Sequence, residues 1–207
     1  MMNRFLASIV ALMAGAGAAN AQLVKMTIAT GVDPAFSQFY VAKEGGLFEK
    51  NGLDVTINTG PSGSAMVPFL INNQVQAAYG SDLAGVINHQ VDNNIVAVAD
   101  GTYLWKWESV VGRNVDDLAA LKGKKVGIAI GTGSEIFWRR LLDKRGLSAA
   151  DYKQVNVEAP EMLAALERGD IDAFAAWEPW PTRTLMAVKG SKVLATADGI
   201  YNNINFI

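Results

Sequence analysis

Two short segments concentrate side chains that could handle a ligand. Gly131-Thr-Gly-Ser-Glu135 is a glycine-rich turn carrying hydroxyls and a carboxylate, and Trp177-Glu-Pro-Trp180 sets a second carboxylate between two indoles. Small residues opening a helix expose backbone N–H groups at its positive end, which suits an anionic group. A carboxylate among aromatic rings is a cradle for a cation or a planar polar ligand. Neither segment is a catalytic constellation. His89 is the single histidine, falls mid-helix and has no cysteine or clear carboxylate partner, which argues against a metal site or a hydrolytic triad. The Gly131 string lacks the third glycine of a dinucleotide fingerprint and the Gly-Lys of a P-loop. Asp170 and Asp172 alternate with Ile171 as strand residues do, so they do not form an acid–base pair. The chemistry is that of binding, with no enzyme activity, metal or cofactor expected.

The elements that would position these segments alternate along the chain. Apolar runs predict strands at Met26–Thr30, Asp54–Asn58, Val75–Tyr79, Ile95–Ala99, Val126–Ile130 and Val155–Val157, with a further one at Ile171. Helices fall between them. Asp33-Pro34 opens one through Val41, Met66 to Ile71 form another, and Gly80-Ser81-Asp82 caps a third through Val91. Val115 begins a short helix. Ser134 is the expected N-cap of a helix ending at Gly146, Pro160 starts one stopped by Gly169, and Thr182–Val188 completes the series. Short turns between strands and helices argue for an α/β protein with a mostly parallel sheet covered on both faces. The pattern restarts after a crossover near Ala99 to Ser109, which divides it into two lobes. Ligands in such sheets sit at the carboxyl ends of the strands.

The N-terminus points to export. Asn3 and Arg4 precede an apolar run from Phe5 to about Ala14, and Ala19-Asn-Ala21 supplies the small residues of a cleavage site. Residues 1–21 are read as a signal peptide, and the mature chain as starting near Gln22 in the periplasm. The absence of cysteine removes disulfides and thiolate chemistry. A net charge of −2 with no basic stripe argues against nucleic acid as a partner. Lys122, Lys124 and Lys125 read as a solvated turn, and Trp105 and Trp107 as packing between lobes.

Phe39-Tyr-Val-Ala-Lys-Glu-Gly-Gly-Leu-Phe-Glu-Lys-Asn-Gly-Leu-Asp-Val55, Leu121-Lys-Gly-Lys-Lys-Val-Gly127 and Ala173-Phe-Ala-Ala-Trp-Glu-Pro-Trp180 together resemble the periplasmic substrate-binding proteins of the nitrate, sulfonate and taurine class. The resemblance implies a type II two-lobed (Venus-flytrap) fold that closes over a small solute and delivers it to the permease of an ABC importer, as a monomer. It places the first lobe in residues 22–102, the second in 103–200 and a returning hinge strand in 201–207. Members of the class are longer, so the first lobe is expected to be incomplete and to expose apolar sheet. The residues expected at the cleft are Gln38, Phe39, Ser64, Ala65, Ser81, Asp82, Thr132, Gly133, Ser134, Glu135, Trp177 and Glu178. Several have a plainer reading: the serines serve as N-caps, Glu135 and Asp82 complement a helix dipole, and Gln38 and Phe39 belong to a core-facing helix, as Trp180 outside this set belongs to a core. Helix N-termini for an acidic group, with Glu135 or Glu178 for an amine, suit a taurine-like zwitterion or aliphatic sulfonate. A pyrimidine thiamine precursor stacked on Trp177 is the alternative. An enzyme of thiamine-precursor synthesis shares the fold but needs a lysine and a histidine in the cleft.

Overall fold

The computed structural model describes residues 22–207; the segment read as a signal peptide lies outside them. In the first lobe β1 (Val24–Thr30) runs parallel to β2 (Leu53–Thr59), with β3 (Ala77–Ala78) on its other side. α1 (Ser37–Glu44) and the single turn α2 (Leu47–Lys50) link β1 to β2, and α3 (Gly63–Met66) and α4 (Pro68–Ile71) link β2 to β3. Neighbouring residues on the central strands face opposite sides. Ile28 and Ala77 pack with Phe36, Phe39, Val55 and Tyr79, while Ala29 and Ala78 pack with Met66, Val67, Val75 and Ala84. That is the two-residue period of a strand buried on both faces.

Tyr79 joins β3 to β4 (Gly80–Ser81) and lies edge-on to Phe36 and Phe39, at centroid separations of 5.5 and 5.1 Å. α5 (Asp82–Val91) follows. The strand expected at Ile95–Ala99 starts instead at Asp100, as β5 (Asp100–Leu104). Ile95 closes a turn on Asp92, and Val98 and Ala99 bond the backbone of Ile207, so a partner strand is met only from there on. Val86, Val96 and Val98 are exposed, and an apolar groove of about 480 Å³ runs between α4, α5 and Ile207.

The second lobe is a five-stranded sheet ordered β10-β6-β9-β7-β8. Its elements are β6 (Glu108–Arg113), β7 (Lys125–Ile128), α6 (Gly133–Lys144), β8 (Lys153–Asn156), α7 (Met162–Arg168), β9 (Ala173–Trp177), α8 (Trp180–Ala187) and β10 (Ser191–Thr196). β7 is parallel to β8 and β9, but β6 is antiparallel to both β9 and β10, so the sheet is mixed rather than mostly parallel. β6 arrives directly from the crossover, without the helical connection that forces parallel pairing. Where a short helix from Val115 was expected, a 3-10 turn spans Ala119–Leu121. Helices cover both faces. Phe137, Trp138, Leu141 and Leu142 of α6 pack on Val110, Val126, Ile128 and Ala175, and Met162 and Leu166 of α7 pack on Val111 and Phe174.

β11 (Asn203–Phe206) pairs antiparallel with β4 on one side and β5 on the other, forming a third sheet that ties the lobes together. Among the described residues, no helix is long and apolar enough to cross a membrane.

Leu141 is fully buried on the helix whose first turn walls the cleft described below. Leu141→Ala is expected to lower the unfolding free energy by about 2–5 kcal/mol. Urea denaturation followed by circular dichroism measures it, and a loss below about 1 kcal/mol would mean that α6 is not packed as described.

Candidate functional site

Polar groups from both lobes meet in one cleft at the carboxyl ends of the strands. After β1 comes Asp33, whose Oδ1 accepts from the Ala35 N–H at 3.0 Å and so caps the turn opened by Pro34. After β2 comes Ser62, whose Oγ accepts from Ala65 N–H at 3.1 Å and starts α3. Ser64 and Ser81 share a hydroxyl hydrogen bond of 3.0 Å that joins α3 to β4. From the second lobe, Thr132 follows β7 and caps α6. Its Oγ1 accepts from Ser134 N–H at 3.3 Å and donates to the Ala129 carbonyl at 2.7 Å. The N–H of Gly133 is among the first-turn donors a helix cannot satisfy internally. Trp177 ends β9 and reaches across: its indole Nε1–H donates to Asp33 Oδ2 at 2.8 Å, bonding one lobe to the other.

The cleft is lined by Asp33, Ser62, Ser64, Ser81, Thr132 and Gly133, by Phe36, Leu104, Trp107 and Trp177, and by Asn203 and Asn205 of β11. Its cavity of about 30 Å³ has room for about two waters. Behind Asn203 lies Glu108, fully buried. Asn203 Nδ2–H donates to Glu108 Oε1 at 2.8 Å, while Glu108 Oε2 and Asn203 Oδ1 have no hydrogen-bond partner among the described residues. A Cβ at Gly133 would collide with the Asn203 amide, so the approach of α6 to β11 requires glycine there.

Burial dominates the electrostatics. It pushes the Asp33 carboxyl up to about 6, against the pull of its bonds from Trp177 and Ala35. It pushes Glu108 up to about 7, opposed by Asn203 and by its own backbone N–H and reinforced by the negative charge of Asp82. Tyr201 donates to Asp82 Oδ1 at 2.8 Å, and burial together with that bond raises its phenol well above the ordinary range.

The sequence profile of the family described as NMT1/THI5 like matches residues 33–199, most of the chain. The protein belongs to the NMT1/THI5-like family. The taurine-binding periplasmic protein of Escherichia coli (strain K12) is 29% identical over 165 residues, which cover 77% of this chain and 50% of that protein. Among solved structures, the alkanesulfonate-binding protein SsuA from Xanthomonas axonopodis pv. citri, bound to MOPS, superposes with a TM-score of 0.71 at 21% identity, covering 89% of this chain and 66% of that one. The periplasmic nitrate-binding protein NrtA from Synechocystis PCC 6803 gives 0.67 at 16% identity, covering 89% and 56%. The fold of this NMT1/THI5-like chain is thus the two-lobed periplasmic-binding-protein fold. The chain spans about half the length of the curated relatives it matches.

Of the residues expected at the cleft of this NMT1/THI5-like protein, the structure brings Ser64, Ser81, Thr132, Gly133 and Trp177 together. The others lie elsewhere. Phe39 is buried against Tyr79 in the first-lobe core, and Gln38 is exposed, its Nε2 3.5 Å from Thr102 Oγ1. Ala65 supplies only the N–H that Ser62 caps. Asp82 is occupied by the Tyr201 hydroxyl and the Leu83 N–H. Ser134 is not the N-cap; Thr132 is, and Ser134 is buried within the first turn. Glu135 folds back on its own turn, accepting from Gly131 N–H at 2.8 Å and pairing with Arg139 at 2.7 Å. Glu178 lies outside the lining, its Oε2 3.3 Å from Thr182 N. Trp180 packs in the second-lobe core, and Trp107, read as packing, lines the cleft.

Asp33, Asn203, Asn205 and Glu108 were missed, while Ser62 lies in a segment, Ser62 to Ala65, that was expected at the cleft. Asn203 and Asn205 are the buried members of an alternating Asn-Ile-Asn-Phe strand, a pattern with its polar face inward that could have marked them. Asp33 stands just past a strand end, the same rule that selected Thr132. Nothing local distinguishes Glu108.

Because the Glu108 pKa is raised on folding, its stabilising contribution is complete below about 4.5 and is lost as pH rises through about 7. Glu108→Gln, which mimics the protonated form, is expected to gain about 3 kcal/mol on the wild type between pH 4.5 and pH 8. Urea midpoints across that range read the difference. A constant gap would mean that Glu108 titrates as an ordinary carboxylate.

Proposed function

We propose that this protein is the periplasmic solute-binding component of an ABC importer, taking a small sulfonate-class organic solute between its lobes. The supporting observation is the convergence of neutral donors from both lobes on one cleft: the hydroxyl of Ser62, the one hydroxyl proton that the Ser64–Ser81 pair leaves free, and the Gly133 N–H at the positive end of α6. Such donors suit an oxyanion group with several acceptor oxygens. Trp107, Trp177, Leu104 and Phe36 supply apolar wall for a short carbon chain. The likeness to the taurine-binding periplasmic protein of Escherichia coli and to the alkanesulfonate-binding SsuA supports the same class.

The lobes open and close about the paired strands β5 and β11. Opening separates Trp177 from Asp33 and admits the solute; closing restores the wall and presents a surface to the permease. Binding rather than chemistry is the role, and the N-terminal segment and the periplasmic relatives support export. The two indoles lining the cleft favour one further reading, an aminopyrimidine stacked on Trp177.

A thermal-shift screen of the purified protein against taurine, alkanesulfonates, nitrate, bicarbonate and aminopyrimidines tests this. One compound is expected to raise the melting temperature in a dose-dependent way. At a hundred times Kd the stabilisation is about 2.7 kcal/mol, or roughly 5–10 °C for a chain of this size. Trp177→Ala should abolish the shift. A response to the pyrimidines alone would replace the sulfonate reading, and a response to none of the panel would refute it.

A further inference from the structure

The charge in the cleft is unbalanced. Among the described residues its lining holds one carboxylate, Asp33, and no lysine, arginine or histidine side chain. Asp33 belongs to none of the ion pairs found among those residues. Its oxygens each accept from one neutral donor, the Ala35 N–H and the Trp177 indole, and each keeps a lone pair free. Neutral donors do not cancel a charge, and burial makes its isolation costly, as the upward displacement of its titration shows. The floor beyond it also has acceptors to spare. Among the described residues, Asn203 Oδ1, on a side chain more than nine-tenths buried, and Glu108 Oε2, on one fully buried, are both without a hydrogen-bond donor.

A simple anion held by the hydroxyls and the α6 N-terminus would therefore sit beside a half-buried negative charge with no cation to balance it. A solute bearing both an oxyanion group and a protonated amine meets the donors with its oxygens and Asp33 with its amine. Glu135 and Glu178, the carboxylates the sequence offered for an amine, are engaged within their own turns and lie outside the lining.

We propose that Asp33 is the specificity-determining residue of the cleft, accepting the protonated amine of an aminoalkylsulfonate and selecting it over sulfonates that lack one. As the cleft widens and draws the Trp177 indole N–H away, the amine takes its place as a donor to the same carboxylate, so the bond that closes the empty cleft is exchanged for the amine contact. This inference rests on the sulfonate-class reading above and narrows it.

Calorimetry at pH 7.5, where Asp33 is ionised, compares taurine with propane-1-sulfonate, in which a methyl group replaces the ammonium at equal chain length. The wild type is expected to bind taurine at least tenfold more tightly. Asp33→Asn and Asp33→Ser both retain an oxygen able to cap the Ala35 N–H while removing the charge. Each is expected to weaken taurine at least tenfold while binding propane-1-sulfonate as well as the wild type or better. Retained sulfonate binding shows that these variants are folded. Trp177→Phe removes the indole donor but leaves the carboxylate, and should keep the preference for taurine. If Asp33 serves only as a structural latch, the Asp33 variants and Trp177→Phe weaken both ligands alike, and the proposal falls. Equal affinity of the wild type for the two sulfonates overturns the role of Asp33 and leaves the sulfonate class standing. Binding of neither overturns both.

Discussion

The two lobes are held in relation to each other by the pairing of β11 with β5 and β4. In this register Asn203 lies opposite Leu104 and Asn205 opposite both Thr102 and Ser81, so one short strand is bonded to the crossover and to the first-lobe sheet edge. A strand held on both sides cannot slip by one residue without turning its side chains over. Here that slip would carry both asparagines out of the cleft and bring Ile204 and Phe206 into it. Much of the site depends on this register. Asn203 meets Glu108 at the start of β6, the nearby Gly133 brings in the first turn of α6, and the Tyr201 hydroxyl ahead of the strand binds Asp82 at the start of α5.

The parts of the fold legible in the sequence were those whose local patterns agree with their burial. β1 read as a strand because Ile28 and Ala29 lie on a doubly covered parallel sheet, β2 because Leu53, Val55 and Ile57 alternate toward one packed face, and α7 read as a helix because Met162 and Leu166 share a buried face before the left-handed Gly169. β6 and β10 were not legible. β10 is an edge strand with half its residues exposed, and its Ser-Lys-Val-Leu-Ala-Thr run lacks a clean alternation. The antiparallel direction of β6 is set by where the chain re-enters from the other lobe, which no window of a few residues records. Ile95–Ala99 failed in the opposite sense: five apolar residues promised a strand, but a ladder needs a partner backbone, and most of that run has none beside it.

For the site, the sheet-edge rule was informative and residue type was not. It found Thr132, Gly133, Ser64, Ser81 and Trp177, all of which stand where a strand has just ended or a helix is about to begin. Choosing carboxylates by their company misled. Glu135 beside a glycine-rich turn and Glu178 between tryptophans looked available, yet each lies within reach of a backbone N–H of its own turn. A carboxylate one helical turn from free N–H groups is pulled back to them by the same field that would attract a ligand. Asp33 also caps a turn, but the turn is a single 3-10 step and leaves Oδ2 to reach across the cleft.

The cross-lobe bond also constrains how selectivity can arise. A cavity of about 30 Å³ cannot hold an organic solute, so binding must widen the cleft, and widening strains or breaks the Trp177–Asp33 bond. Its loss leaves a half-buried carboxylate with one neutral donor fewer, a cost any solute must offset. A solute that brings no donor of its own carries that cost through to the bound state. One that supplies a charged donor converts it into attraction, because the same burial that makes the lone carboxylate unfavourable strengthens its pairing with a cation. Selection therefore follows from the state of the empty cleft: the more poorly Asp33 is satisfied without solute, the larger the difference between solutes that satisfy it and solutes that do not.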